Sequence, residues 1–156
     1  MLEPLLPQIL HAIDQVAHRI YKLLIVVLPV GSNQVAAIGE LARLTGFCRV
    51  NVNLELSRKL LEIARSDRGK QAPNLLKASV EEGNPKGVIL ERFELLFEKS
   101  LELNPLNRLK ELARYRTIIA VWQGKFQDGH LVYAEFGHSE YRSYRPDEIN
   151  DIMVIG

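Results

Sequence analysis

The chain is poor in the residues that would tie it to a secreted, membrane-embedded or metal-bound existence. Its 156 residues include one cysteine, Cys48. A lone thiol forms no internal disulfide, and no Cys/His cluster at zinc spacing accompanies it, so the reducing cytosol fits best. Long hydrophobic runs are missing as well. The longest, Leu23 to Val30, contains Pro29 and falls well short of the roughly 20 apolar residues of a membrane span. The opening Met1-Leu2-Glu3-Pro4 has neither a basic n-region nor a small-residue cleavage site, so no signal peptide is expected. Charge of one sign is absent too: 20 Lys+Arg face 19 Asp+Glu, a net charge of +1. That balance argues against a protein whose main task is coating nucleic acid or an anionic membrane, while leaving a local patch open. The expectation is a soluble, cytoplasmic protein with no membrane partner.

What is present is ordinary globular material, with 47% hydrophobic and 25% charged residues, which excludes global disorder and fibrous repeats. A chain of this length buries about two-thirds of its unfolded surface in one core. A single domain over 1–156 is expected, with an N-terminal helix in 1–20 and a C-terminal extension over 137–156.

The periodicities alternate. Ile9, Leu10, Ile13, Val16, Ala17 and Ile20 form one helical stripe. Leu23 to Leu28 is apolar on both faces, as in a central parallel strand. After the turn Pro29-Val30-Gly31-Ser32-Asn33, a helix runs through Ala36, Ala37, Leu41 and Leu44 to Gly46. Phe47 to Asn53 reads as a second strand, Asn53 as the N-cap of a helix through Leu60, Leu61 and Ala64. Arg65 to Gln71 reads as a loop and Pro73 to Glu82 as a helix, broken at Gly83-Asn84-Pro85. Val88-Ile89-Leu90 is a third strand, ending in Glu91. A short helix over Phe93 to Phe97 follows, then one capped by Asn104-Pro105. Thr117 to Val121 is a fourth strand; Leu131 to Ala134 and Asp151 to Ile155 read as edge strands or paired extensions. This is the grammar of an α/β fold with a parallel sheet.

Ligands of open α/β sheets sit at strand carboxyl ends, here Pro29 to Gln34, Asn51 to Asn53, Glu91 to Glu94 and Trp122 to Gly124. A phosphate loop, G-x-x-x-x-G-K-[ST], wraps phosphates in backbone N–H groups, neutralises them with lysine and holds Mg²⁺ through the hydroxyl. Laid on this chain, its glycines fall on Leu28 and Asn33, its lysine on Gln34 and its hydroxyl residue on Val35. Only Gly31 and Ser32 suit such a loop, and a plain βα turn remains the alternative. Val88-Ile89-Leu90-Glu91 has the form of a Walker B strand with Glu91 at the metal-acid position and Arg92 next. Glu94 reaches the same pocket only if the turn bends inward, and a solvated Glu-Arg-Phe-Glu surface is the competing account. His130 and His138 lack ligand-spaced partners and read as surface or hydrogen-bonded histidines, Cys48 as a small buried hydrophobe. Ser32 has no G-x-S-x-G context. Gly137 to Arg145 alternates aromatic and basic residues, either a polar tail or a nucleic-acid grip.

Several strings together resemble one family. Val50-Asn51-Val52-Asn53-Leu54-Glu55-Leu56-Ser57-Arg58 and Ile89-Leu90-Glu91-Arg92-Phe93-Glu94-Leu95-Leu96-Phe97 are similar to segments of BrxF, the small P-loop proteins of BREX phage-defence systems. So are Asn104-Pro105-Leu106, Arg114-Tyr115-Arg116-Thr117, Val121-Trp122-Gln123-Gly124, Tyr133-Ala134-Glu135 and Gly137-His138-Ser139-Glu140-Tyr141, in the family's order. The resemblance spans about Tyr21 to Arg145. It implies a P-loop NTPase-like (AAA-like) three-layer sandwich acting beside a methyltransferase, a large ATPase and a phosphatase-like component. ATP and Mg²⁺ would map onto Gly31, Ser32, Asn33, Gln34, Val35 and Glu91. The chain departs from the family where chemistry is concentrated. Gln34 leaves phosphate charge unneutralised and Val35 removes a Mg²⁺ ligand, so hydrolysis is expected to fall by orders of magnitude.

The leading expectation is therefore a non-catalytic or weakly nucleotide-binding subunit of a BREX-type complex that assembles with itself or with larger defence proteins. An ATP-dependent switch or weak ATPase using Glu91 is the second. It would borrow an arginine in cis or trans, with Arg114, Arg116, Arg142 and Arg145 as donors. A small DNA-binding adaptor using Tyr141, Arg142, Tyr144 and Arg145 is the third.

Overall fold

The computed structural model describes residues 5–28, 34–134 and 137–156, with the side chains of Gln34 and Val35 left aside. Helix α1 (Leu5–Val16) leads into β1 (Leu23–Val27), whose residues are almost wholly buried. Helix α2 (Gln34–Thr45) ends at Gly46, where φ is +73°, the left-handed conformation that favours glycine after a helix. Strand β2 (Cys48–Asn51) passes directly into α3 (Val52–Leu60), and α4 (Arg65–Glu81) follows. Strand β3 (Gly87–Glu91), the 3₁₀ turns Glu94–Phe97 and Lys99–Leu101, α5 (Pro105–Leu112) and β4 (Thr117–Trp122) complete the central body. A small sheet of β5 (Gly124–Gln127), β6 (His130–Tyr133) and β7 (Arg142–Tyr144) comes next, then α6 (Pro146–Ile149) and β8 (Met153–Ile155).

The main sheet has five parallel strands in the order β2-β3-β4-β1-β8, and the small one is antiparallel with β6 in the middle. Alternation along the strands divides the core into two layers. Leu24, Val26, Ile89, Ile119 and Val121 pack under α1 and α2 with Ile9, Ala12, Ile38 and Leu41. Leu23, Ile25, Val88, Leu90, Ile118 and Ala120 pack under α3, α4 and α5 with Leu56, Leu76 and Leu109. Both faces of the sheet are covered, which is why its strands read as continuous apolar runs. Among the described residues, no helix is long and apolar enough to cross a membrane.

Several expectations are corrected. Residues Arg65 to Gln71 are not a loop but the first turns of α4. Five of these seven residues are exposed and polar, so no apolar stripe marks the helix there. Ala72 is inaccessible, and a Cβ on Gly69 would lie 2.9 Å from the Leu101 carbonyl oxygen. The second strand stops at Asn51, and Asn51 rather than Asn53 caps α3. Cys48 is exposed, because β2 is a sheet edge whose side chains are largely uncovered. Ile20 lies beyond the end of α1 and is 76% exposed. The segment before Glu98 is a 3₁₀ turn, and β6 is flanked on both sides. Residues 137–156 supply strands to both sheets, with β8 pairing along β1.

Candidate functional site

The connection leaving β1 runs towards β2 at one side of the sheet, and the one leaving β4 runs towards β8 at the other. Where the chain leaves adjacent strands for opposite sides of a sheet, their carboxyl ends are the usual ligand position, and a crevice is expected there. Gly31, Ser32 and Asn33, expected at that position, lie outside the described residues, and Gln34 and Val35 begin α2.

Beside that crevice, Glu91 ends β3 in register with Asn51. Its carboxylate accepts two parallel hydrogen bonds from Arg49, Nε to Oε2 and Nη2 to Oε1, each 2.8 Å. The fork-on-fork geometry is the strong form of the pair, and it holds the guanidinium above its already high pKa. Arg49 rests against α2, with Nη1 3.7 Å from where a Cβ on Gly39 would sit. Glu91 shares its strand parity with Ile89, on the α1/α2 side of the sheet. Glu91, expected from the sequence as a metal acid, is thus paired with a cationic side chain of the same protein.

Glu94 is built into the other layer. Asn53 donates its Nδ2–H to Glu94, accepts from the Leu95 N–H through Oδ1 at 2.9 Å, and donates its own N–H to the Arg92 carbonyl at 2.7 Å. These bonds bind the start of α3 to the turn after β3 and hold Arg92 at φ +51°, a strained conformation for a non-glycine residue. Glu94 also pairs with Arg92 at 3.3 Å. The two glutamates therefore serve different layers and different partners. An open hollow of about 340 Å³ lies over this clamp, lined by Asn51, Asn53, Leu54, Ser57 and Arg92. Among the described residues, no group of three or more His, Cys, Asp or Glu is placed to hold a metal ion.

Beyond β4 the core is aromatic. Trp122, at the end of β4, donates its Nε1–H to the Val132 carbonyl at 2.9 Å. Phe97 stacks on Tyr133 with ring centroids 3.6 Å apart, and Phe93, Phe97 and Tyr144 pack round the indole. Gly124 is obligatory there: a Cβ would fall 2.0 Å from the Val132 oxygen. Burial, with Glu94 and Glu140 nearby, pushes the Tyr133 phenol up to about 12.

The other candidates are dispersed. Tyr144 is 4% exposed; its hydroxyl accepts from the Leu106 N–H at 3.4 Å and donates to Asn104 Oδ1 at 3.5 Å. Its ring is core, so it offers no platform for a base. Arg142 donates to the Leu103 carbonyl at 3.0 Å, and Arg145 pairs with Asp147 at 3.0 Å. The Tyr141 N–H donates to the His138 carbonyl at 3.1 Å. Arg114 and Arg116 precede β4, whose six residues separate them from the carboxyl end of the sheet by roughly 20 Å at about 3.3 Å per residue. The strand direction rules both out as arginines supplied to that crevice by the same chain. Arg116 instead donates to the Pro85 carbonyl at 2.9 Å, and Arg114 pairs with Glu111 at 3.7 Å. His130 lies 3.0 Å from the Asp128 carbonyl through Nδ1, and His138 Nδ1 accepts from the Glu140 N–H at 3.0 Å, both hydrogen-bonded as expected. Arg49 and the bridging role of Asn53 were not anticipated. Their signal lies in cross-strand register, which a single sequence does not display.

Compared with known proteins, the chain matches no family model, no curated protein and no solved structure.

Proposed function

We propose that the chain is a non-catalytic, at most weakly nucleotide-binding, P-loop-fold (AAA-like) component of a BREX-type phage-defence complex, acting by assembly with itself or with larger defence proteins. The observation that carries this reading is the bidentate Arg49–Glu91 pair. A carboxylate committed to a guanidinium at 2.8 Å is charge-compensated without Mg²⁺. A divalent ion would have to displace Arg49 before it could be held there. Gln34 and Val35 at the lysine and hydroxyl positions of the loop point the same way. The parallel five-stranded sheet, covered by helices on both faces and ordered β2-β3-β4-β1-β8, supports the P-loop-like architecture.

The test is genetic and biochemical together. A tagged full-length chain is expected to copurify with other components of the defence system, and its deletion to abolish phage resistance. The Glu91→Gln variant should restore resistance to the deletion strain. Copurification with none of these components, or resistance unchanged by the deletion, contradicts the reading.

A further inference from the structure

A parallel sheet collects whatever precedes its strands at a single edge. Here the residues immediately before β1, β3 and β4 are Lys22, Lys86 and Arg116. These strands are neighbours in the order β3-β4-β1. With about 4.8 Å between strands, the backbones of these residues form a row about 10 Å across, at the end of the sheet opposite the strands' carboxyl ends. The row borders a hollow of about 570 Å³. Arg116 is positioned by its bond to the Pro85 carbonyl and by Glu81 at 3.9 Å. Lys22 Nζ lies 3.4 Å from the Arg114 carbonyl, and Lys86 is exposed. Asp14, on α1, is the only carboxylate lining the hollow among the described residues.

The other walls are apolar. Ile13, Leu44 and Phe47 line the hollow from the α1/α2 layer. Leu44 is 45% and Tyr115 65% exposed, two of the few large hydrophobic side chains left uncovered. Lys77 lies 5.4 Å from the Tyr115 ring centroid, adding positive charge beside it. A cationic row beside exposed apolar side chains calls for a ligand with the complementary arrangement.

We infer that this N-terminal edge of the sheet is a docking surface for a partner-protein segment in which carboxylates flank an apolar anchor. The carboxylates face Lys22 and Lys86, with Arg116 behind them held by Glu81 and the Pro85 carbonyl, and the anchor covers Leu44 and Tyr115. A nucleic-acid backbone satisfies the cations but leaves the apolar side chains wet. A second copy docked through the same edge by a two-fold axis opposes one cation row to another. The partner being a protein rests on the assembly reading above; the surface chemistry does not.

The test is fluorescence anisotropy on the full chain with a dye-labelled twelve-residue peptide bearing leucine and phenylalanine between aspartates. Control peptides replace the aspartates with lysines, or the apolar residues with serines. The aspartate peptide should bind at least tenfold tighter than either control, and more weakly as salt rises. The double variant Lys22→Glu, Lys86→Glu should bind it at least tenfold more weakly while keeping the wild-type circular dichroism spectrum. If that variant unfolds, Lys86→Glu alone, at an exposed position, should give a several-fold loss. The inference is overturned by equal binding of the lysine peptide, by affinity unchanged in a folded charge-reversed variant, or by equally tight binding of a single-stranded oligonucleotide. Dimerisation that the double variant abolishes also overturns it, in favour of a second copy. Peptide binding without copurified defence proteins upholds the surface and sinks the assembly reading; copurification without peptide binding does the reverse.

Discussion

Arg49 and Glu91 meet on neighbouring strands of the main sheet, joined by two hydrogen bonds of 2.8 Å from one guanidinium to one carboxylate. The pair closes a strand carboxyl end that would otherwise present an uncompensated negative charge. Its side chains are 37% and 17% exposed, intermediate between a surface pair and a buried one. A double-mutant cycle with Arg49→Ala and Glu91→Gln should give a coupling energy of about 1 kcal/mol, the upper end of the exposed-pair range. Coupling indistinguishable from zero in urea denaturation would show that solvent has loosened the fork.

The Asn53 side chain bridges α3 to the turn after β3, while Asn51 caps α3 alone. Asn51→Ala should cost about 1 kcal/mol, the usual loss of an N-cap. Asn53→Ala should cost more, about 2 kcal/mol, because it leaves the Leu95 N–H and the Glu94 carboxylate without that partner. Denaturant melts of the two variants check the ranking; an equal or smaller loss for Asn53→Ala contradicts the clamp.

Gly124→Ala should destabilise by about 2 kcal/mol or more, since backbone at 2.0 Å from the new methyl group cannot step aside as a side chain would. The damage should concentrate where the small sheet joins β4, visible as a changed near-ultraviolet signal from Trp122. A thermal melt and indole spectrum like those of the wild type would rule out the close approach of β5 and β6 there.

Alkaline pH offers a separate handle. The phenol of Tyr133 is raised to about 12 from an ordinary value near 10, chiefly by burial. The folded state then stays protonated where the unfolded state ionises. This contribution is fully present below pH 10 and is lost as pH rises from about 10 to about 12. Tyr144 shifts the same way, again by burial. Tyr133→Phe should flatten the fall in stability over that window, and denaturant melts at pH 9, 10 and 11 measure it. An unchanged slope would mean that the phenol is solvated.

The legible parts of the fold were those buried on both faces. The runs at β1, β3 and β4 announce central parallel strands because their residues are apolar apart from Glu91 at the end of β3 and Thr117 at the start of β4. The first turns of α4 are not legible because five of the seven residues from Arg65 to Gln71 are exposed and polar, leaving no apolar stripe. Val50-Asn51-Val52-Asn53 alternates like a strand throughout, and only the bond from Leu54 N–H to Asn51 Oδ1 marks where the strand ends and the helix begins. Cys48 looked buried because a sequence does not say which strand is the edge. At the candidate site, Glu91 was visible as the acid ending a buried strand. Arg49 was not, since its pairing depends on the β2–β3 register. Lys22, Lys86 and Arg116 are widely separated in the chain and come together only through strand order.

The most direct test of the account is MgATP turnover by the purified full-length chain, measured beside Glu91→Gln and Arg49→Ala. The proposed reading predicts no turnover above background in the wild type or either variant, because Gln34 stands where a phosphate-loop lysine would and Glu91 is paired with Arg49. Turnover by the wild type that Glu91→Gln abolishes would contradict it and make this crevice a working nucleotide site.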